Sequence, residues 1–264
     1  MEFTEIEKRL NSATDVALMP YQRNCLKRFL KYIPVIDNLD ILEIGGNGPQ
    51  AVALLLNNLS GRKVVVCNPD PESKHQPDEN RVSVLKKDAC DTGFDSASFD
   101  IILGIAVLEH IVDMRQFARE CFRLLRPNGL LFLQGGPLWH SRLGHHLFLV
   151  NQKMDYRFCG KNPVPDFAHL IYTQDELENI LLSEKNIPAD HVPIISQAVY
   201  APRGLNRLST ESICEAFVSV SPKELKFEFD LAPPSEIVIS LIAKKSLDQN
   251  LNYAASNMFL YARK

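Results

Sequence analysis

Ile41-Leu42-Glu43-Ile44-Gly45-Gly46-Asn47-Gly48 is the stretch on which the fold turns. Its first half is a short apolar strand, and a glycine-rich turn follows without a spacer. Pro49 then suits the first turn of a helix, where it has no needed N–H to lose. A strand delivered through such a turn into a helix leaves bare backbone amides at the strand's carboxyl end, where open parallel sheets bind ligands. Glycine admits a ligand close to the backbone, and Asn tolerates a left-handed turn. Alone the turn stays ambiguous. Gly46-Asn47-Gly48-Pro49-Gln50-Ala51 also satisfies the G-x-G-x-x-A dinucleotide pattern, which would mean NAD binding, and a tight turn with no ligand looks the same.

Working outward, strands alternate with helices. Upstream, Cys25, Leu26, Phe29, Leu30 and Ile33 recur at helical spacing. Downstream, Ala51, Leu54 and Leu55 open a helix that ends near Gly61. Strands are expected at Lys63–Cys67, Val82–Leu85, Phe99–Leu103 and Leu130–Leu133. Asp113 with Gln116 forms a capping-box pattern before a helix whose apolar face is Phe117, Cys121 and Leu124, and Pro127-Asn128-Gly129 stops it. Near-continuous apolar strands separated by helices predict a parallel sheet covered on both faces. After Gly136 the period breaks. Thr173 with Glu176 opens another capped helix, Thr210 to Val218 reads as helix, and Leu225–Phe229 and Met258–Ala262 read as strands.

Four segments of this core, in order, resemble the class I S-adenosylmethionine (SAM)-dependent methyltransferases. They are Leu42 to Gly48, the acidic turn Asp88-Ala89-Cys90-Asp91, Ser98-Phe99-Asp100-Ile101-Ile102-Leu103-Gly104-Ile105-Ala106-Val107-Leu108-Glu109-His110-Ile111, and Leu124-Leu125-Arg126-Pro127-Asn128-Gly129-Leu130-Leu131. The resemblance implies a Rossmann-like, doubly wound α/β fold: a mostly parallel seven-stranded sheet with one antiparallel strand, plus a cap insertion. It also implies SAM as cofactor. Glu43 and Gly45 would border the methionine amino and carboxylate groups, and Gly46 and Asn47 the ribose. Asp88 and Ala89 would lie near the adenine, and Ile105 and Ala106 would line the sulfonium side. Two departures stand out. Asn47 and Pro49 replace the second and third glycines of the usual spacing, and Asn68 stands where an acid normally grips the ribose hydroxyls. Asp70, two residues on, is the expected substitute. An amide lacks the charge-assisted strength of a carboxylate.

Acid–base chemistry points to histidine. His110 closes the Leu-Glu-His segment after the fourth strand. His140, His145 and His146 lie in Pro137–His146 after the fifth, with the single Trp, Trp139, and His169 follows Asp166. One or two of these are candidate general bases and substrate hydrogen-bond donors, or else they tie an irregular loop together. His-x4-His-His lacks the i,i+4 pairing and cysteine support of familiar zinc sites, so no metal is expected. The Gly-His-His and later His-Leu arrangement resembles methyltransferases linked to sugar or polysaccharide modification.

Composition sets the remaining bounds. With 264 residues, 45% hydrophobic and 23% charged, the chain has enough apolar material for one core plus an elaboration. A net charge of −3 offers phosphate backbones no general attraction. The six cysteines have no C-x-x-C spacing and read as reduced, buried apolar residues of a cytoplasmic protein. No apolar run is long enough to cross a membrane. The expected organisation is an N-terminal helical segment over 1–38, a SAM-binding core over 39–136, a substrate cap over 137–220, and C-terminal strands and a helix over 221–264 that complete the core. The expected activity is methyl transfer from SAM to an oxygen of a small molecule, with a sugar or sugar-derived metabolite as the named candidate, and with neither nucleic acid nor membrane as partner. The rival readings are a protein or RNA methyltransferase and a non-catalytic SAM-fold partner protein with a degenerate cofactor site.

Overall fold

The computed structural model describes residues 8, 18–33, 38–45, 62–69, 82–201, 204–245, 247–248 and 250–264. The helix expected from Ala51 to Gly61 lies outside them. Seven strands form one sheet in the order β3-β2-β1-β4-β5-β9-β8. They are β1 (Asp40–Ile44), β2 (Lys63–Asn68), β3 (Val82–Lys86), β4 (Phe99–Gly104), β5 (Leu125–Gly135), β8 (Glu224–Leu231) and β9 (Ala255–Arg263). β1 pairs in parallel with β2 and β4, β2 with β3, and β4 with β5. β9 runs antiparallel beside β5, with Asn128 N–H donating to the Lys264 carbonyl and Lys264 N–H to Gly129. The expected sheet is therefore the observed one. A register shift between Phe99 and Ile101 lets Phe99 face Leu125 and Ile101 face Leu130. Pro127-Asn128-Gly129 is thus accommodated inside β5 rather than before it.

The chain divides into two compact units. The first takes Met1–Gln134, Glu215–Glu228 and Phe259–Lys264, the second Gly135–Cys214 and Phe229–Met258. In the first unit β1 lies between β2 and β4, and its apolar residues are buried on both faces, Ile41 and Leu42 completely. Helix α1 (Pro20–Tyr32) starts on a proline at its first turn and buries Cys25, Leu26, Phe29 and Leu30. The Phe29 and Phe132 rings meet edge to face at 5.5 Å. Helix α2 (Met114–Leu124) takes its N-cap from Asp113, which accepts from Gln116 N–H. Only half of the expected capping box forms, because the Gln116 side chain donates instead to the Cys90 carbonyl.

The amino end of the sheet is held by charge. Asp40 N–H and Arg126 both donate to Asp100 Oδ2, at 2.8 and 2.7 Å. Arg126 also reaches Asp40 Oδ2 at 2.7 Å, and Arg62 pairs with Asp40 Oδ1 at 2.9 Å. Two of the segments that carry the family resemblance, Phe99-Asp100 and Leu125-Arg126, thus bind each other and the first residue of β1.

The second unit has its own core. Leu147, Tyr156, Val164, Ala168, Leu177, Leu181, Val192, Ile195 and Val199 form one buried cluster, and Phe167, Ile171, Ile242 and Tyr253 another. Around these lie the hairpin β6 (Phe148–Val150) and β7 (Asp155–Arg157), a single turn α3 (Ala168–Ile171), and helices α4 (Gln174–Ser183), α5 (Val192–Tyr200) and α7 (Glu236–Lys244), with Leu147, Val164, Phe167 and Tyr253 on the segments between. Helix α6 (Thr210–Val218) has the expected bounds. Thr173 and Glu176 make the full reciprocal box at the start of α4. The hairpin and α5 are elements that the sequence pattern did not reveal. α5 carries Pro193 in its first turn, where proline begins a helix as readily as it ends one.

The six cysteines are free, as expected, but not uniformly buried: Cys25, Cys67 and Cys121 are, whereas Cys159 is exposed. Among the described residues no helix is long and apolar enough to cross a membrane.

Replacing Asp100 with Ala removes the acceptor of Asp40 N–H and one partner of Arg126. We expect a loss of about 1–2 kcal/mol in urea unfolding at unchanged m-value. A loss below about 0.3 kcal/mol would mean that solvent screens the network completely.

Candidate active site

The carboxyl ends of β1, β2 and β4 bring polar groups and small residues together. Glu43, next to last in β1, is 3% exposed, and Asn68, the last residue of β2, 5%. A buried carboxylate and a buried amide at neighbouring strand ends are unusual among otherwise apolar strands. Gly45 follows β1 at φ +86° and donates its N–H to the Cys67 carbonyl at 2.9 Å. A Cβ at Gly45 would meet Val107 Cγ2 at 3.0 Å, so both conformation and space call for glycine there. Gly46, Asn47 and Asp70 lie outside the described residues.

After β4 the chain turns through Ile105 and Ala106, both half-buried. Ala106 sits at φ +55°, which costs a non-glycine residue about 1–2 kcal/mol. Gln134, buried near the end of β5, offsets that cost: its Oε1 accepts from Ala106 N–H at 2.9 Å and its backbone carbonyl from Val107 N–H at 3.0 Å. Sequence reading stopped this strand at Leu133 and missed Gln134. The available signal was a lone amide at the end of an apolar run. Next comes a 3-10 turn, Leu108–His110, with Glu109 buried and His110 exposed. Asp88 is exposed and uses Oδ1 to accept from Cys90 N–H at 2.8 Å, while Ala89 beside it is buried. Burial pushes the Cys67 thiol up to about 12, which leaves it protonated and inert beside Asn68.

This donor set suits SAM. A buried carboxylate matches an ammonium, an amide and an exposed carboxylate match hydroxyl and amine donors, and Ile105 with Ala106 supplies an apolar wall. Residues 42–133 match the family model described as a methyltransferase domain. Over 99 residues the chain is 30% identical to a "Probable S-adenosylmethionine-dependent methyltransferase" of Mycobacterium tuberculosis. That match covers 36% of this chain and spans only 34% of the length of that relative. A "Ubiquinone biosynthesis O-methyltransferase" of Bradyrhizobium diazoefficiens is 29% identical over 202 residues, 74% of this chain and 73% of that protein. In fold the chain is similar to an S-adenosylmethionine-dependent methyltransferase from Mesorhizobium loti, with a TM-score of 0.52 and 12% identity over 91% of this chain and 98% of that one. Residues 42–133 thus resemble a SAM-dependent methyltransferase domain.

The other four candidate histidines lie in the second unit, and their partners set their tautomers. His145 is fully buried and its Nδ1 accepts from Leu147 N–H at 3.0 Å, so the ring proton sits on Nε2. His169 donates from Nε2 to the Trp139 carbonyl at 2.7 Å, which leaves Nδ1 as the lone-pair nitrogen. His140 donates to the Leu208 carbonyl and His146 Nδ1 to that of Gly144. The second ring nitrogen of each of the four is enclosed by protein. His145 and His169 lie 5.6 Å apart, ring to ring, and Trp139 is edge-on to His169 at 4.8 Å. Burial, with neighbouring histidines adding to it, pushes His145 down to about 3. His169 falls to about 4 through burial, only partly offset by its bond to Trp139. Both are neutral at physiological pH. In the second unit these histidines fasten the loop that contains them.

A stability profile follows from their protonation. Below about pH 6.5 the unfolded chain protonates these two imidazoles while the folded one does not until pH 3–4. Stability is therefore full above pH 6.5 and falls towards pH 4, by about 1.4 kcal/mol per pH unit for each histidine. Denaturant unfolding at pH 7.5, 6 and 5 reads this slope. His169→Phe should flatten it, and an equal slope in that variant would assign the acid sensitivity to other groups.

Proposed function

We propose that the chain transfers the methyl group of SAM to an oxygen of a small molecule. The observation that carries this is the pairing of buried Glu43 and buried Asn68 at adjoining strand ends within the region that matches the methyltransferase domain. Glu43 binds the amino group of the methionine moiety, Gly45 gives the backbone room to turn beside it, and Asn68 hydrogen-bonds a ribose hydroxyl. Asp88 accepts from the adenine amine, with Ala89 against the ring. Ile105 and Ala106 form the apolar wall that excludes water near the reacting centre. When bound, the cofactor supplies a methyl group already activated by a sulfonium. Most of the rate then comes from alignment, and a hydroxyl acceptor adds the need for a base.

Among the five candidate histidines we assign the base to His110. It is exposed and follows directly on the Ile105–Ala106 turn, whereas His140, His145, His146 and His169 have their second nitrogens enclosed. Residues 137–220, with Trp139, remain our candidate for the acceptor-binding cap. The O-methyltransferase named for ubiquinone biosynthesis supports an oxygen acceptor and gives no support to a sugar. Asn68 in place of an acid, with Asn47 and Pro49 in place of glycines, favours a second reading, a non-catalytic SAM-fold partner protein.

Calorimetric titration with S-adenosylhomocysteine, with NAD as control, separates these readings. Micromolar binding of the homocysteine compound alone is expected, and Gly45→Arg should abolish it, because an arginine fits neither φ +86° nor the 3.0 Å approach of Val107. Absence of binding by the unmodified protein would support the partner-protein reading. With an acceptor in hand, His110→Ala should slow turnover by about 10²–10⁴-fold while cofactor affinity stays unchanged. Undiminished turnover would leave alignment as the whole mechanism.

A further inference from the structure

β5 buries Leu130, Leu131, Phe132 and Leu133, and then Gln134, which is 5% exposed. A buried amide must be hydrogen-bonded, and its partners show what it does. Gln134 Oε1 accepts from Ala106 N–H and Gln134 O from Val107 N–H, so one residue holds two consecutive amides of the turn after β4. Ala106 is in the left-handed region at φ +55°, which an alanine leaves unless held. Fixing Val107 has a second effect. Its Cγ2 stands 3.0 Å from the position of a Cβ on Gly45 and 3.3 Å from that of a Cβ on Gly104. The valine therefore rests on Gly45, which follows β1, and on Gly104, which ends β4, while Gln134 holds Ala106 through its side chain and Val107 through its backbone carbonyl.

We propose that Gln134 is the positioning residue of the cofactor site. Its side chain acts through Ala106 and takes no part in the reaction itself. This rests on the assignment of the Gly45 and Ala106 turns to SAM. The acceptor oxygen is the essential atom, and the left-handed alanine is the reason it is needed. Glycine at 106 adopts φ +55° without steric cost, so it should free the turn from its dependence on Gln134.

The test is a double-mutant cycle on the full chain, read as the calorimetric dissociation constant of S-adenosylhomocysteine. Gln134→Met keeps length and removes the acceptor. It should weaken binding by about tenfold or more in the alanine background, where the left-handed turn loses its hold, and by less than about threefold beside Ala106→Gly, where glycine keeps φ +55° unaided. A change of less than about threefold in the alanine background overturns the proposal, as does an equal loss in both backgrounds, which a merely structural glutamine would give. Should Gln134→Met not fold, Gln134→Glu replaces it: the acceptor is retained, so binding within about threefold of the original supports the proposal and a tenfold loss overturns it. Binding by the unmodified protein keeps the SAM reading standing in either case. If the unmodified protein does not bind, the SAM reading falls and this proposal with it.

Discussion

Burial of β1 between two parallel neighbours is the constraint on which the first unit depends. Ile41 pairs with Val64 on one side and Ile101 on the other, and Glu43 with Val66 and Leu103. A strand buried on both faces has almost no freedom in register, because a one-residue slip would turn every side chain to the opposite face. Fixing that register fixes where the strand ends, and the strand ends are where Glu43, Gly45 and Asn68 stand.

The two ends of the sheet do different work with residues that look equally distinctive. At the amino end Asp100 and Arg126 form a partly exposed charge network whose role is to hold strand starts together. At the carboxyl end the peptide units of the parallel strands leave amides and small residues facing a common region, and the polar side chains there are buried. The family segments thus carry two kinds of residue, and resemblance alone does not sort them. Asp100 is as recognisable as Glu43, yet its partners are a backbone amide and an arginine of the same sheet.

The histidines of the second unit make the same point with protons. Their concentration around Trp139 suggested acid–base chemistry. Their environment holds His145 and His169 neutral and commits one nitrogen of each to the backbone. A carbonyl accepts and an amide donates, so these bonds fix the tautomers, and enclosure of the other nitrogen removes the access a base requires. His110, unremarkable as a lone histidine, is the exposed one of the five candidates.

What the sequence by itself determined is the parallel sheet and the helix caps. The apolar runs at Ile41, Val64 and Ile101 became parallel strands within a residue or two of the expected bounds, and that at Leu130 one that begins five residues earlier, because burial on both faces writes continuous hydrophobicity into the chain. Thr173 and Asp113 were legible as caps because a helix start has a local chemical need. The candidate site was legible at Glu43, Gly45, Asn68, Ile105 and Ala106, since each sits at a fixed offset from a strand. Tertiary structure alone decided that Gln134 clamps the Ala106 turn, that Val107 rests on Gly45, that Asp100 and Arg126 meet, and that four histidines are enclosed. Each of the first three joins residues 26 or more positions apart and the last depends on burial, and local pattern holds no record of either.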